Sequence, residues 1–463
     1  MEAKTEKSVA DKNTEISSTA KRSLPTLKLS TIFAMTFGFF GVNMAFSLQS
    51  SQMGRIFQTI GANPNKLGWF FILPPLAGMV IQPLIGKYSD RTWTRFGRRM
   101  PYLLFAGPIG ALVLVLLPNA GSFGFGYASL AALLFGAFAT LFMDLTSNAC
   151  MQPYKMIIGD MVNEDQKDLA WSWQQSFSNL GGVVATAAPF ALTAWGISNV
   201  APKGEVPGSV KFAYYAAAAI LLVSSIYTVI SVDEYDPKKY ADYHGNALEE
   251  SEKTPGLWEL LKKAPKSFWE ISVTQFFNWF AIMYMWTYST GAIADNVWHT
   301  TDPSSAGYQE AGNWYGILFC VLSISSVLFG ILVAHSRPDQ RKFWYRFGCI
   351  AGGIGFISIF FIDNKWLLFI SYALIGIDNL TMNTQPFSLL TESLNGKNEG
   401  AYLGLFNCSI CLPQIIASVA SFGLFPLLGN SMPAMLFVGG VSLLLGAWSV
   451  SLIHSDFSDN KVK

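Results

Sequence analysis

The sequence predicts an all-α membrane protein with twelve spanning helices. Three observations carry this. Charged residues make up only 13% of the 463 residues and aromatics 14%, whereas a soluble domain carries about 25% charged residues. Mean hydropathy is +0.34. Apolar runs long enough to cross a bilayer, which takes about 20 residues, recur along the whole chain. Length alone would suggest two or three soluble domains. The runs override that reading: only helices or closed barrels satisfy their backbone in hydrocarbon, and these runs are too long for barrel strands.

In order, the runs are 28–54, 67–88, 100–118, 124–152, 168–195, 210–232, 267–295, 312–334, 341–361, 366–391, 399–425 and 431–454. Residues 1–27 precede them as a polar cytoplasmic tail. The first run is too long for a signal peptide and has no clear cleavage site, so it is expected to stay as the first helix. Six runs fill 28–232 and form an N-terminal bundle. A charge-rich stretch follows, 233–266, with Pro237, Pro255 and Pro265; it is expected to be a cytoplasmic linker. Six further runs fill 267–454 and form a C-terminal bundle, and 455–463 is a short cytoplasmic tail.

Charge sets the expected orientation. With the N-terminus in the cytoplasm, only Arg55, Lys66, Lys203, Lys211 and Lys365 of the 31 Lys and Arg face outward. The positive-inside rule asks for this bias, so both termini are expected to be cytoplasmic. Short loops and tails suggest a bacterial inner membrane. Net charge is +1, and nothing points to nucleic acid. Cys150, Cys320, Cys349, Cys408 and Cys411 lie in or beside the runs, without the spacing of a disulfide framework or metal site. The histidines His244, His299, His335 and His454 lie in loops or at helix ends. No zinc spacing or nucleotide loop occurs, so an enzyme is not expected, nor a cofactor.

A weak internal echo supports two related halves. "GKYSDRTWTRFGRR" (86–99) follows the second run, and "GILVAHSRPDQRK" (330–342) follows the eighth. Parallel halves with nested repeats mark alternating-access carriers, whose site lies between the halves.

Gly86, Asp90, Arg91, Gly97, Arg98 and Arg99 resemble the loop signature of the major facilitator superfamily. A narrower resemblance runs through residues 67–104, the Asp144–Asp160 stretch, "QPFSLL" (385–390) and "LGLFNCSICLPQII" (403–416). These are similar to the glycoside–pentoside–hexuronide cation symporters, nearest the sucrose and maltose proton symporter branch. The resemblance implies a two-bundle fold of twelve helices, a sugar substrate and a cation as co-substrate. It also implies that Asp90, Arg91, Arg98, Arg99, Lys155 and Asp160 gate the inner side. There are departures. Lys155 stands where the branch carries arginine and loses the bidentate fork. Trp286 and Tyr288 stand where plant members carry acidic residues. Asp378 stands where a proline or apolar residue is usual. Residues 67–88 hold no acidic residue, which argues against a sodium cage and for a proton.

Asp144 follows about twenty uncharged residues and falls at membrane depth. A charge there costs roughly 2.5–3.5 kcal/mol on insertion scales and is functional by default. Burial in low dielectric favours the protonated form of a carboxyl group, so such a group can carry a proton across. Each 100 mV of membrane potential is worth about 2.3 kcal/mol per charge. Asp144 is the first candidate for proton coupling, and Asp378, mid-way along the tenth run, is the second.

A sugar site needs amides, hydroxyls and aromatic faces around a cavity. Candidates are Asn43, Ser47 and Ser50, with Ser51, Gln49 and Gln52 beside them; Gln82; Asn148; Gln175, with Trp171, Ser178 and Asn179; Gln275, Asn278 and Trp279, with Tyr284 and Tyr288; Gln385, with Thr381; and Asn407 and Gln414. Each alone is more often an interhelical hydrogen bond than a ligand contact. Amides and aromatics among so few charges suit a neutral polar ligand. An anion carrier needs a buried cation, for which Arg55 near the outer end of the first run is the one opening. The expected function is proton-coupled uptake of a disaccharide or α-glucoside of the maltose or sucrose type, by a monomer in a lipid bilayer. The alternatives are an uncoupled or sodium-coupled carrier of another neutral glycoside, or a non-transporting membrane sugar sensor. The short C-terminal tail speaks against the sensor.

Overall fold

The computed structural model describes residues 24–244, 257–333, 337–394, 402 and 405–454. Within these ranges the side chains of 80–83, 86, 87, 89–91, 164, 168, 241, 244, 257, 258, 338, 391 and 392 are outside the description. Most of the two expected tails, the middle of the linker and part of the second echo loop fall outside the described residues.

The described residues are helical throughout, with no strand among them. Twelve long helices follow in order: α1 Leu29–Thr59, α2 Gly68–Arg91, α3 Met100–Leu116, α4 Leu130–Met161, α5 Glu164–Ala194, α6 Gly208–Ser231, α7 Lys266–Trp298, α8 Ala306–Val333, α9 Arg341–Phe361, α10 Leu368–Leu394, α11 Cys408–Leu427 and α12 Met432–Ser449. Two short helices, Pro237–His244 and Leu257–Lys263, lie between α6 and α7. Nine of the long helices are apolar and long enough to cross a membrane, among the described residues. α7 and α10 match them in length but carry more polar side chains, and α2 is only partly described.

Local chemistry sets the ends. α4 starts six residues later than the apolar run because Ser129 caps it, its hydroxyl accepting from the Ala132 N–H at 3.1 Å. The Asn163 side chain likewise accepts from the Gln166 N–H at 3.0 Å and starts α5. Such caps satisfy donors that a helix start leaves open. α1 runs past its expected end at 54 because Gln52, Arg55 and Gln58 are buried against protein rather than turned to water.

Packing repeats between the halves. α1 packs on α5 and α6, α2 on α4, α3 on α4 and α6; α7 packs on α11 and α12, α8 on α10, α9 on α10 and α12. Each pair in the first set has its counterpart six helices later. Between the halves, α2 meets α11, α5 meets α8, and α1 meets α7 and α8. The fold is therefore two pseudo-symmetric six-helix bundles.

The halves touch mainly at one end, marked by Arg55. A Cβ on Gly54 would collide with the Thr287 carbonyl oxygen, and one on Gly316 with that of Thr186. Small residues at these crossings let the backbones approach. At the other end, marked by Asp160, no hydrogen bond joins the halves among the described residues. Lys155, Gln175 and Asn383 stay exposed. A charged side chain turned to lipid is costly, so Lys155 faces a watery opening.

Candidate functional site

Between the halves lies a cavity of about 730 Å³ of empty space, its open side included, within the range of small-molecule sites. Helical stripes line it. α1 contributes Phe46, Gln49, Ser50 and Met53; α7 contributes Trp279, Met283 and Trp286; and Asn407, Ile410, Cys411 and Gln414 come from the start of α11. The spacings i, i+3, i+4 and i+7 put each set on one helix face. α4 adds Asp144 and Asn148.

Asp144 is 3% exposed. Its Oδ2 accepts from Asn148 Nδ2 at 2.9 Å, and the Gln49 amide lies within hydrogen-bonding reach. No cation pairs with it among the described residues. Three polar atoms of the lining are buried without a partner: Gln49 Oε1, Trp279 Nε1 and Trp286 Nε1. Buried polar atoms are normally hydrogen-bonded. Orphans on a cavity wall therefore suit a ligand that both donates and accepts. The two indole rings stand edge to face, 6.1 Å apart at 64°, and offer an apolar face beside those polar atoms.

Of the residues singled out from sequence, Ser50, Asp144, Asn148, Trp279, Asn407 and Gln414 come together here. Others lie elsewhere. Asn43 donates to the Ser178 carbonyl oxygen, and Ser47 packs beside Gly182. Gln175 bonds Asn179 at 3.1 Å. Gln275 donates to the Met382 carbonyl oxygen at 3.0 Å and Asn278 to the Tyr345 hydroxyl at 2.9 Å. Gln385 is buried in α10. Asp378 is fully buried between α9 and α10, against Gly352 and Cys349, and does not line the cavity. The side chains of Gln82, Asp90 and Arg91 lie outside the described residues. Gln49 and Trp286 enter with more weight than the sequence suggested; the stripe 46–49–50–53 was the signal for Gln49.

Two polar assemblies flank the cavity. At one end Arg55 is 0% exposed. Its Nε donates to Gln309 Oε1 at 2.7 Å, Nη1 to Asn313 Oδ1 at 2.8 Å and to Gln52 Oε1 at 3.2 Å, and Nη2 to Asn199 Oδ1 at 2.8 Å. Gln309 reaches back to Thr59 at 3.0 Å and Asn313 to Thr193 at 2.9 Å. Gln309 and Asn313 belong to the second half and the rest to the first, so the network crosses the pathway. No carboxylate among the described residues pairs with Arg55. Close by, Thr186 Oγ1 and Cys320 Sγ meet across the halves at 3.1 Å.

At the other end Arg98 and Arg99, each 2% exposed, both pair with Asp160 at 2.9 Å. Arg98 also donates to the Tyr240 hydroxyl at 3.0 Å and lies over the Tyr240 ring at 4.2 Å. Glu234 accepts backbone N–H bonds from Arg98, Arg99 and Met100 at 2.7–3.0 Å, capping α3. Burial pushes the Glu234 carboxyl up from its ordinary range, and those three donors oppose the shift. All these residues belong to the first half or the start of the linker. Lys155 forms no ion pair with a described residue.

The arrangement is that of a carrier, with a cavity between two like halves and one end shut. The profile of the Major Facilitator Superfamily matches residues 31–418. A sucrose transport protein, SUT1 of Oryza sativa subsp. japonica, is 22% identical over 470 aligned residues, spanning 89% of this chain and 86% of that one. The general alpha-glucoside permease of Schizosaccharomyces pombe is 30% identical over 176 residues, 37% of this chain and 32% of that protein. The crystal structure of the nucleoside transporter NupG superposes with a TM-score of 0.67 at 12% identity, covering 92% of this chain and 99% of that one. The twelve helices thus have a family that spans both halves: the chain belongs to the Major Facilitator Superfamily and is a transporter, not an enzyme.

Proposed function

We propose that the protein takes up a disaccharide or related α-glucoside, of the maltose or sucrose kind, together with a proton. One observation carries the reading: a carboxyl group without a cation partner among the described residues, Asp144, shares a cavity wall with two orphaned donors and an orphaned acceptor. A sugar has hydroxyls that do both and ring faces that pack on indole. Trp279 and Trp286 would take a ring face. Gln49, Asn148, Asn407 and Gln414 would take hydroxyls. The rice sucrose transport protein and the S. pombe permease support a sugar as cargo.

Asp144 carries the proton in this reading. A proton neutralises the group, and a neutral group crosses low dielectric far more cheaply than a charge. Rocking of 28–232 against 267–454, joined by 233–266, exchanges the open end. The cation distribution supports a cytoplasmic Asp160 end and cytoplasmic termini, so this conformation faces inward, and the short loops support a bacterial inner membrane. Asp160, Arg98 and Arg99, with Asp90, Arg91 and Lys155 nearby in sequence, form the inner gate region. Each half-site comes from one chain, which supports a working monomer.

Purified protein in liposomes tests this. An imposed gradient, acid outside, should drive sucrose or maltose above equilibrium, and a protonophore should abolish the accumulation. Accumulation driven by sodium instead, or equilibration alone, would contradict proton coupling. Movement of neither sugar would contradict the substrate class.

A further inference from the structure

Two side-chain amides stand at Asp144, and they are held differently. Asn148 is committed. Its Nδ2 donates to the Asp144 carboxylate at 2.9 Å and to the Asp144 backbone carbonyl oxygen, also at 2.9 Å. A primary amide has two hydrogens to give, so turning this one over would break both bonds. Gln49 has no such tie. It reaches Asp144 from α1 and is 6% exposed on the cavity wall. Its Oε1 is buried without a partner. Among the described residues only Asp144 orients this amide.

The other surroundings of Asp144 are neutral. Gly78 of α2 lies over the carboxylate, where a Cβ would stand 3.9 Å from Oδ2. Cys411 of α11 is the titratable group that faces it from the second half. No charged side chain faces it from α1, α2, α3, α5 or α11 among the described residues.

Hydrogen-bond chemistry then dictates how Gln49 responds to a proton. An ionised carboxylate only accepts, so Gln49 Nε2 faces it and Oε1 is left to the cavity. A protonated carboxyl group has an O–H to donate. Asn148 presents its Nδ2 there, which cannot accept. The orphaned Gln49 Oε1 can. Turning the Gln49 amide over gives Oε1 to the acid and sends Nε2 to the cavity. The wall therefore shows an acceptor when Asp144 is ionised and a donor when it is protonated. The indole N–H groups of Trp279 and Trp286 stay donors in both states.

We propose that the Gln49 side-chain amide is the coupling element between proton and sugar. It turns over when Asp144 gains its proton, and the sugar oxygen beside it can only accept. That oxygen belongs to the ring or the glycosidic link, or to a hydroxyl whose hydrogen is already given elsewhere. Facing Oε1 it stays buried and unpaired, which costs binding; facing Nε2 it is satisfied. Sugar thus binds the protonated protein better. Gln49 has this role only if the cavity takes a sugar and Asp144 a proton, as proposed above.

Sugar counterflow in liposomes holding the full-length protein, with equal pH on both sides, tests this. The quantity read is the half-saturating concentration of sucrose or maltose as the pH is varied. In the parent it should fall about tenfold from alkaline to acid pH, the effect of about one buried hydrogen bond. Asp144→Asn, whose NH2 donates to Oε1 as the acid does, should hold the acid value at every pH. Gln49→Leu should hold the alkaline value at every pH, keep counterflow and lose accumulation on a pH gradient. Gln49→Met, unbranched like Gln, gives the same reading if the leucine variant fails to fold. A parent-like pH dependence in the Gln49 variants, with Asp144→Asn flat, overturns the role of Gln49 and leaves the proton on Asp144. A parent-like dependence in Asp144→Asn takes the proton from Asp144 and the role of Gln49 with it. A flat parent, or one that moves neither sugar, overturns the coupling and the reading beneath it together.

Discussion

The Arg55 end and the Asp160 end are both held by buried arginines, but in opposite ways. Arg55 spans the two halves and is satisfied by neutral amides alone. Arg98 and Arg99 stay within the first half and are satisfied by a carboxylate. A buried ion pair broken on one side leaves an uncompensated charge and costs about 3–5 kcal/mol. A guanidinium held by amides loses less when a gap opens, because water replaces the amides. The contrast teaches a division of labour. If the halves rock as proposed, the Arg55 assembly comes apart with each cycle, whereas the Asp160 assembly travels intact with its half.

The most severe test freezes the Arg55 end. Thr186→Cys places a second sulfur opposite Cys320, where the present atoms stand 3.1 Å apart, close enough for a disulfide to form with small adjustment. Oxidation should stop essentially all transport, and a reductant should restore it. Transport that survives the crosslink would mean this end does not open.

A smaller effect comes from loosening the same end. Arg55→Met leaves four amides without their donor. Hydrogen bonds to charged groups are worth roughly 1.5–3 kcal/mol each, and water recovers part of that on opening, so we expect a shift of about tenfold toward the open state. In a variant whose sole cysteine is Cys320, labelling by an impermeant maleimide should rise by that factor. Unchanged labelling would remove Arg55 from the closure.

Asp160→Asn should behave differently. It strips the partner of two buried guanidinium groups, and the folded state should lose about 3 kcal/mol, read as a lower unfolding midpoint. Labelling of Cys320 should stay as in the parent. A rise in labelling would couple the Asp160 assembly to closure of the Arg55 end and dissolve the contrast. Asp378→Asn should matter least. The group packs against Gly352 and Cys349 and lies in neither assembly, so stability should change by less than about 1 kcal/mol and uptake should persist.

Much of this was legible in the sequence. Hydropathy located all twelve helices, because a run with no polar face can only be buried or in lipid. It misjudged α1, whose last turns are polar but buried against α7 and α8. The site was legible in part. Asp144 stood out because a charge at membrane depth needs a reason. Asn278 and Gln275 share α7 with Trp279, yet one turns to α9 and the other to α10; rotation about the helix axis separates Asn278 from the cavity stripe, whereas Gln275 shares its face and lies one turn further along. Asn43 and Ser47 lie at i, i+7 and i, i+3 from Ser50, but nearer the start of α1, where α5 takes them up. The role of Arg55 was hidden, because the sequence offers it only as an opening for an anion site until its partners 254 and 258 residues away are brought beside it.

The central claim is that Asp144 in the cavity carries the proton. Asp144→Asn and the parent should be compared in liposomes for sugar counterflow and for accumulation driven by a pH gradient. The account predicts that the variant keeps counterflow and loses accumulation. A variant that still accumulates sugar on a pH gradient would contradict it.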